Sequence, residues 1–180
     1  MRLARFAAAA AGLAGAAIAA DRALALVPPG QRPFSGPVHA QVEITASIEA
    51  TWTVLSDVPG QVRWMPEMKS VEMVTPGPVR VGSVGEATIR IFGIAVTDQV
   101  DITAYDPPRA FGIAHRGLFG GEGLLTLRAG HDGTTTIVDW VEHLVPPWLP
   151  RLGWIAQRPV IEYLYQRDLC LLRDLVERDG

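Results

Sequence analysis

The chain has 180 residues, 48% of them hydrophobic and 19% charged, with a formal net charge of −3. That length suits one domain of ordinary size, and the apolar balance with five tryptophans excludes a disordered tail, a coiled coil and a collagen-like rod. The apolar residues are unevenly spread: 22 of them lie in the first 37 positions.

Arg2 and Arg5 precede a fifteen-residue run from Phe6 to Ala20, made of ten Ala, two Gly, Phe6, Leu13 and Ile18. A basic start, a short apolar run and Ala17-Ile18-Ala19 as an Ala-x-Ala site have secretory proportions. A permanent spanning helix wants about 20 apolar residues. Residues 1–27 therefore read as a signal peptide or, with Ala23 to Val27 extending the run, as an N-terminal membrane anchor. A cytosolic alanine-rich helix is the third reading. The expected location is exported or membrane-anchored, with the cytoplasm as the alternative and membrane association carried by this segment. Residues 28–37, PPGQRPFSGP, cannot sustain a helix and read as a Pro/Gly-rich linker.

Beyond residue 37 there are 12 basic and 18 acidic residues, and Lys69 is the only lysine. An acidic domain without a basic stripe is a poor partner for a phosphate backbone, which argues against nucleic acid. Cys170 is the only cysteine, so neither an internal disulfide nor a multi-cysteine metal site can form.

Residues 38–180 carry no repeat and no second linker, and read as one domain. Val38, Ala40, Val42 and Ile44 alternate with polar residues as a half-buried strand. Ser47 can cap a short helix with Glu49 in its first turn and Trp52 and Leu55 on its apolar face, stopped by Pro59-Gly60. A second short piece spans Gln61 to Trp64. Strand-length runs follow at Val71–Val74, Ser83–Phe92, Ile94–Tyr105, Ala110–Arg116, Leu118–Ala129 and Thr134–Leu144, joined by turns too short for parallel crossovers. One long helix is predicted from Val160 to Arg178, with Pro159 in its first turn.

That helix places Ile161, Leu164, Tyr165, Leu172 and Leu175 on one face, with Asp168 at its centre. A carboxylate there needs an arginine or a backbone amide as partner, a raised pKa or a wet cavity. Ahead of the helix, Trp148, Leu149, Trp154 and Ile155 form an apolar, proline-bent segment. It reads as a lid, a membrane contact or cover over a sheet edge.

The segment Ile44-Thr45-Ala46-Ser47-Ile48-Glu49-Ala50-Thr51-Trp52-Thr53-Val54-Leu55-Ser56-Asp57 resembles the opening of the START-like (SRPBCC) superfamily in its polyketide cyclase/dehydrase-like branch. Further matches are Trp64-Met65-Pro66, Val81-Gly82-Ser83-Val84-Gly85, Tyr105-Asp106-Pro107-Pro108-Arg109, Gly133-Thr134 and the leucine-rich terminal helix. Ser47 departs from the proline that the family often has there. The resemblance implies an α+β helix-grip fold, a curved antiparallel β-sheet wrapped around a long C-terminal helix with two short helices after the first strand. It also implies a cavity for a small hydrophobic ligand such as a lipid, sterol, polyketide or quinone-like molecule.

Motifs for other chemistry are weak. Gly82-Ser83-Val84-Gly85 is one residue short of a nucleophile elbow. The four histidines lack metal-ligand spacing, so no metal is expected, and no cofactor is implied. Gly120-Gly121-Glu122-Gly123 has no following lysine or helix start to bind phosphate and reads as a bulge or strand bend. Polar groups on apolar faces remain. His115 shares a face with Phe111 and Ile113, and the resemblance favours Trp140 and Glu142 inward. The candidate ligand-binding residues are Trp64, His115, Trp140, Glu142, Tyr165 and Asp168, with Asp168, His115 and Glu142 the candidates for any acid–base role.

Three functions stay open. A non-catalytic binder or carrier of a small hydrophobic ligand is favoured, and it predicts a mostly apolar cavity with no acid/base pair within hydrogen-bond reach. A cyclase/dehydratase-type enzyme would need a carboxylate and an imidazole within about 8 Å. An envelope interaction module without a ligand would fill its grip with its own side chains.

Overall fold

Strict alternation builds the first element of the domain. In β1 (Val38–Ile44) Val38, Ala40, Val42 and Ile44 are buried while His39, Gln41 and Glu43 are exposed, the pattern of a strand with one face on the core. The computed structural model describes residues 2–32, 36–91, 93–131 and 133–179. Ahead of β1 runs α1 (Arg2–Leu26), followed by a 3-10 turn at Pro29–Gln31.

After β1 the Ala50 N–H donates to Ser47 Oγ, opening α2 (Ile48–Leu55) with Glu49 in its first turn. The serine satisfies a donor that the helix itself cannot, and the glutamate suits the positive end of the helix dipole. Trp52 and Leu55 turn inward. A 3-10 turn at Pro59–Arg63 then delivers Trp64 into the core.

Six strands follow: β2 (Met68–Met73), β3 (Val84–Ile91), β4 (Ile94–Asp106), β5 (Ala110–Arg116), β6 (Gly120–Ala129) and β7 (Thr136–Val145). With β1 they form one antiparallel sheet in the order β1-β7-β6-β5-β4-β3-β2. β6 keeps an unbroken register with both neighbours, so the expected bulge at Gly120–Gly123 does not occur. Gly121 and Gly123 serve close approach instead, since an added Cβ would lie 2.0 Å from His143 O and from Glu142 Oε2 respectively.

The last helix, α3 (Pro150–Asp179), starts ten residues before the predicted Val160 and holds Pro159 in its interior. Proline there forfeits one helical hydrogen bond. The early turns are held by tertiary contacts: Trp154 packs with Val38 and Ile161 in a small second core, and its Nε1–H donates to Gly36 O at 3.2 Å. Most of the expected proline-bent segment is therefore helix.

α3 runs beside edge strand β1. Gln166 donates to Gln41 O at 2.9 Å and accepts the Gln41 N–H at 3.3 Å, while Glu177 accepts the Thr45 N–H at 2.8 Å. These bonds occupy outward backbone groups that an edge strand would otherwise leave open to another chain. The main core lies between the sheet and α3, with Trp52, Leu55, Trp64, Phe111, Leu125, Trp140 and Leu172 in one cluster. A seven-strand curved antiparallel sheet gripping a long C-terminal helix, with two short helical pieces after β1, is the helix-grip fold.

Candidate functional site

The register across three strands assembles the site. Ile113 on β5 pairs with Gly123 on β6, which pairs with Glu142 on β7, and His115 pairs with Gly121. His115 and Glu142 thus stand on strands roughly 9.5 Å apart, two strand spacings, on the face turned to α3. An ordinary side chain on the strand between would block them. At Gly123 an added Cβ would lie 2.0 Å from Glu142 Oε2, so the carboxylate lies over bare backbone. From there Glu142 Oε1 reaches His115 Nε2 at 2.9 Å.

The other oxygen, Glu142 Oε2, accepts the Trp140 indole N–H at 2.9 Å. Trp140 and Glu142 are two apart on β7 and share a face. Glu142 is 1% exposed, and the His115 side chain 13%. The Trp140 ring stacks on Tyr165 of α3 with centroids 4.1 Å apart and 15° between planes, and meets Trp64 edge-on at 6.3 Å. The Trp64 indole N–H is buried and has no hydrogen-bond partner. Burial, followed by the Glu142 and Asp168 charges, raises the Tyr165 pKa well above its ordinary 10. The phenol is a neutral group at physiological pH.

Asp168 is 2% exposed on the inner face of α3. Its partner is an arginine, but the one beside it in sequence: Arg167 Nε and Nη2 donate to Asp168 Oδ1 at 3.1 and 2.6 Å. Arg167 also forks onto Glu67, with Nη1 donating to Oε1 at 3.1 Å and Nη2 to Oε2. The Asp168 pKa is raised from 3.8 to about 6, by burial first and by the Glu67 charge, against the hydrogen bond and charge of Arg167.

The six candidate residues therefore fall into two linked groups. His115, Glu142, Trp140, Tyr165 and Trp64 form one contiguous chain, and Asp168 belongs to an ion-pair cluster felt by Tyr165. Gly123, Arg167 and Glu67 were missed from sequence. The signal for Gly123 was a pair of glycines two positions apart in a strand, at 121 and 123, where one face is left bare for a neighbour. The pairing of His115 with Glu142 lies far inside 8 Å and departs from the expectation of a site without an acid/base pair.

Aromatic rings occupy the grip: Trp52 packs against Tyr105 at 5.5 Å and Phe111 at 6.5 Å. One surface recess lies along α1, and another lies beside β1, β7 and Gln166, with Trp140 among its lining residues. Among the described residues no three His, Cys, Asp or Glu side chains converge to hold a metal ion.

The profile of the family described as polyketide cyclase / dehydrase and lipid transport matches residues 36–177. The chain belongs to this family. It is the polyketide cyclase/dehydrase-like branch of the START-like (SRPBCC) superfamily that the opening motif resembles. No curated protein sequence matches the chain.

Solved structures are similar in fold to this family member. A protein from Thermus thermophilus is 18% identical, covers 80% of this chain and 99% of its own, and superposes with a TM-score of 0.65. Zhui aromatase/cyclase from Streptomyces sp. R1128 is 20% identical, covering 79% and 93%, with a TM-score of 0.62. The di-domain ARO/CYC BexL from the BE-7585A biosynthetic pathway is 14% identical, with 78% of this chain matched to 46% of that one at a TM-score of 0.62. Such low identities establish the fold and leave the chemistry to the residues themselves.

Proposed function

We propose that the protein binds a small hydrophobic molecule bearing an oxygen function between α3 and the sheet. Trp64, Trp140 and Tyr165 contact its apolar body, and the Glu142–His115 couple meets its polar end. The observation that carries this reading is Glu142, a fully buried carboxylate hydrogen-bonded to an imidazole and an indole on an otherwise apolar face. Burying a carboxylate without a permanent cation beside it costs several kcal/mol, and such groups concentrate at functional sites. The family description, which includes lipid transport, supports the same ligand class. The buried Trp64 N–H adds a donor that a ligand oxygen would satisfy. Because aromatic rings fill the grip, entry requires them to part.

Native mass spectrometry with organic extraction of the purified protein tests the proposal. A hydrophobic species released by solvent, and lost from a Trp140→Ala variant that stays folded, is expected. Empty protein whose melting temperature is moved by no fatty acid, sterol, quinone or aromatic polyketide would sink it.

A second reading, a cyclase or dehydratase, is favoured by the 2.9 Å contact between Glu142 and His115 and by the fold of an aromatase/cyclase. Glu142 would orient the ring while His115 takes a proton from the ligand and returns it. Turnover of a polyketide-type substrate, lost in His115→Gln with binding retained, distinguishes the enzyme from the carrier.

A further inference from the structure

α3 begins without a capping side chain of its own. Leu149, just before it, has φ of 51° and no side-chain acceptor. The backbone N–H groups of Arg151 and Leu152 instead donate to Asp21 Oδ1 of α1, each at 2.9 Å, and Arg151 Nη1 reaches Asp21 Oδ2 at 3.3 Å. Asp21 is 5% exposed. Burial pushes its pKa up, but the two amides and the guanidinium outweigh that and leave it lowered. An aspartate at this place satisfies free helix donors and complements the dipole, here from a residue 130 positions away. Hydrogen bonds also hold the chain at Arg32 and at Pro37. Arg32 Nε donates to Val27 O at 2.6 Å and Arg32 Nη2 to Ala25 O at 3.2 Å, closing the end of α1, and Arg158 Nη2 donates to Pro37 O at 3.3 Å.

From Ala11 onward, packing covers only the later part of α1. Asp21 is buried and Ala17, Leu24 and Ala25 are half-buried, whereas every residue from Ala11 to Ala16 is exposed. Those six positions cover more than a full helical turn, so the exposed apolar surface goes all round the axis. Leu13 is 74% exposed, and Leu26 and Trp148, at 87% and 74%, lie five residues after Asp21 and two before α3 in the sequence. Arg2 and Arg5 lead the run and Arg22 is exposed, while the domain behind is acidic. An anionic surface attracts the arginines and repels the domain, which orients the molecule. No helix of the described residues is long and apolar enough to cross a membrane; the exposed apolar positions beside exposed Arg22 suit the interface of an anionic bilayer.

We propose that Asp21 locks α1 to α3 as a retained helix, and that the exposed positions of α1 from Ala11 to Ala20, together with Leu26 and Trp148, dock on an anionic lipid bilayer. The full chain, purified without detergent, is tested by sedimentation with phosphatidylcholine vesicles with and without phosphatidylglycerol, alongside its intact mass from the native host. Expected are a mass that retains α1, binding that requires phosphatidylglycerol, and a loss of more than about tenfold in affinity for the double variant Leu13→Asp, Ile18→Asp at unchanged melting temperature. Asp21→Ala should lower the melting temperature by roughly 2–8 °C. A mature mass lacking α1, undiminished vesicle binding by the double variant, or an unmoved melting temperature for Asp21→Ala would overturn the proposal. So would self-association through α1 without vesicle binding, which would assign the surface to a second copy of the chain.

Discussion

Beyond the burial that first raises the pKa of the Tyr165 phenol, two buried carboxylates raise it from the two walls of the grip, and they are kept in different ways. Asp168, on the helix wall, holds Arg167, which reaches on to Glu67 and ties α3 to the chain entering β2. Glu142, on the sheet wall, holds a histidine and a tryptophan, and its room is reserved by a glycine on the strand between. Asp168 has a permanent cation and a clasp to make. Glu142 has a partner that can itself gain or lose a proton. The difference teaches that burial alone does not mark a site: the partner does.

Filling the space under Glu142 is the strongest way to break this contrast. Gly123→Ala forces the carboxylate away from a Cβ that would otherwise lie 2.0 Å from Oε2. It should cost about 2–4 kcal/mol in urea unfolding, through overpacking and the strained bonds to His115 and Trp140. An unchanged midpoint would mean that Glu142 moves freely and that the glycine reserves nothing.

Asp168 comes next, and its effect depends on pH. Its folded pKa of about 6 lies above the ordinary 3.8, so the fold binds that proton more tightly than the unfolded chain does. Stability from this group is fully present below about pH 4, falls as pH rises through 6 and is flat above, by up to about 3 kcal/mol. Asp168→Asn should remove that slope, as compared by denaturant melts from pH 4 to 8, and should leave ligand binding unchanged. Parallel pH profiles for the two proteins would contradict the assignment.

Glu142→Gln should behave in the opposite way. The amide oxygen can accept the Trp140 N–H and the amide nitrogen can donate to an unprotonated His115 ring, so stability should change by less than about 1 kcal/mol. Ligand retention, or turnover in the second reading, should drop at the same time. A variant that binds as tightly as the parent would make Glu142 a structural group like Asp168. A scale for both comes from Ser47→Ala, which removes the cap of α2 and should cost about 1 kcal/mol by thermal melting.

Much of the fold was legible because local chemistry dictated it. Alternation marked β1, a serine marked the start of α2, and the turns between Val84 and Val145 were too short for anything but antiparallel neighbours. The start of α3 was not legible. Pro159 signals a first turn, yet the helix begins at Pro150, because Asp21 caps it from α1 and Trp154 packs on Val38. A proline's helical penalty is local and small enough for distant contacts to override.

The candidate site divides along the same line. Alternation placed His115 on the face of Phe111 and Ile113, whereas both faces of the last strand are mixed and only the resemblance favoured Trp140 and Glu142 inward. The amino-acid order also determined that Asp168 would need a partner, a raised pKa or a wet cavity, since a buried carboxylate without any of these is costly. Which partner, and which residues meet across strands, was decided by register and by the passage of α3 over the sheet. His115 and Glu142 are 27 positions apart and touch only because Gly123 lies between them in space. Periodicity describes one element at a time, while a contact across three strands depends on how all three pair.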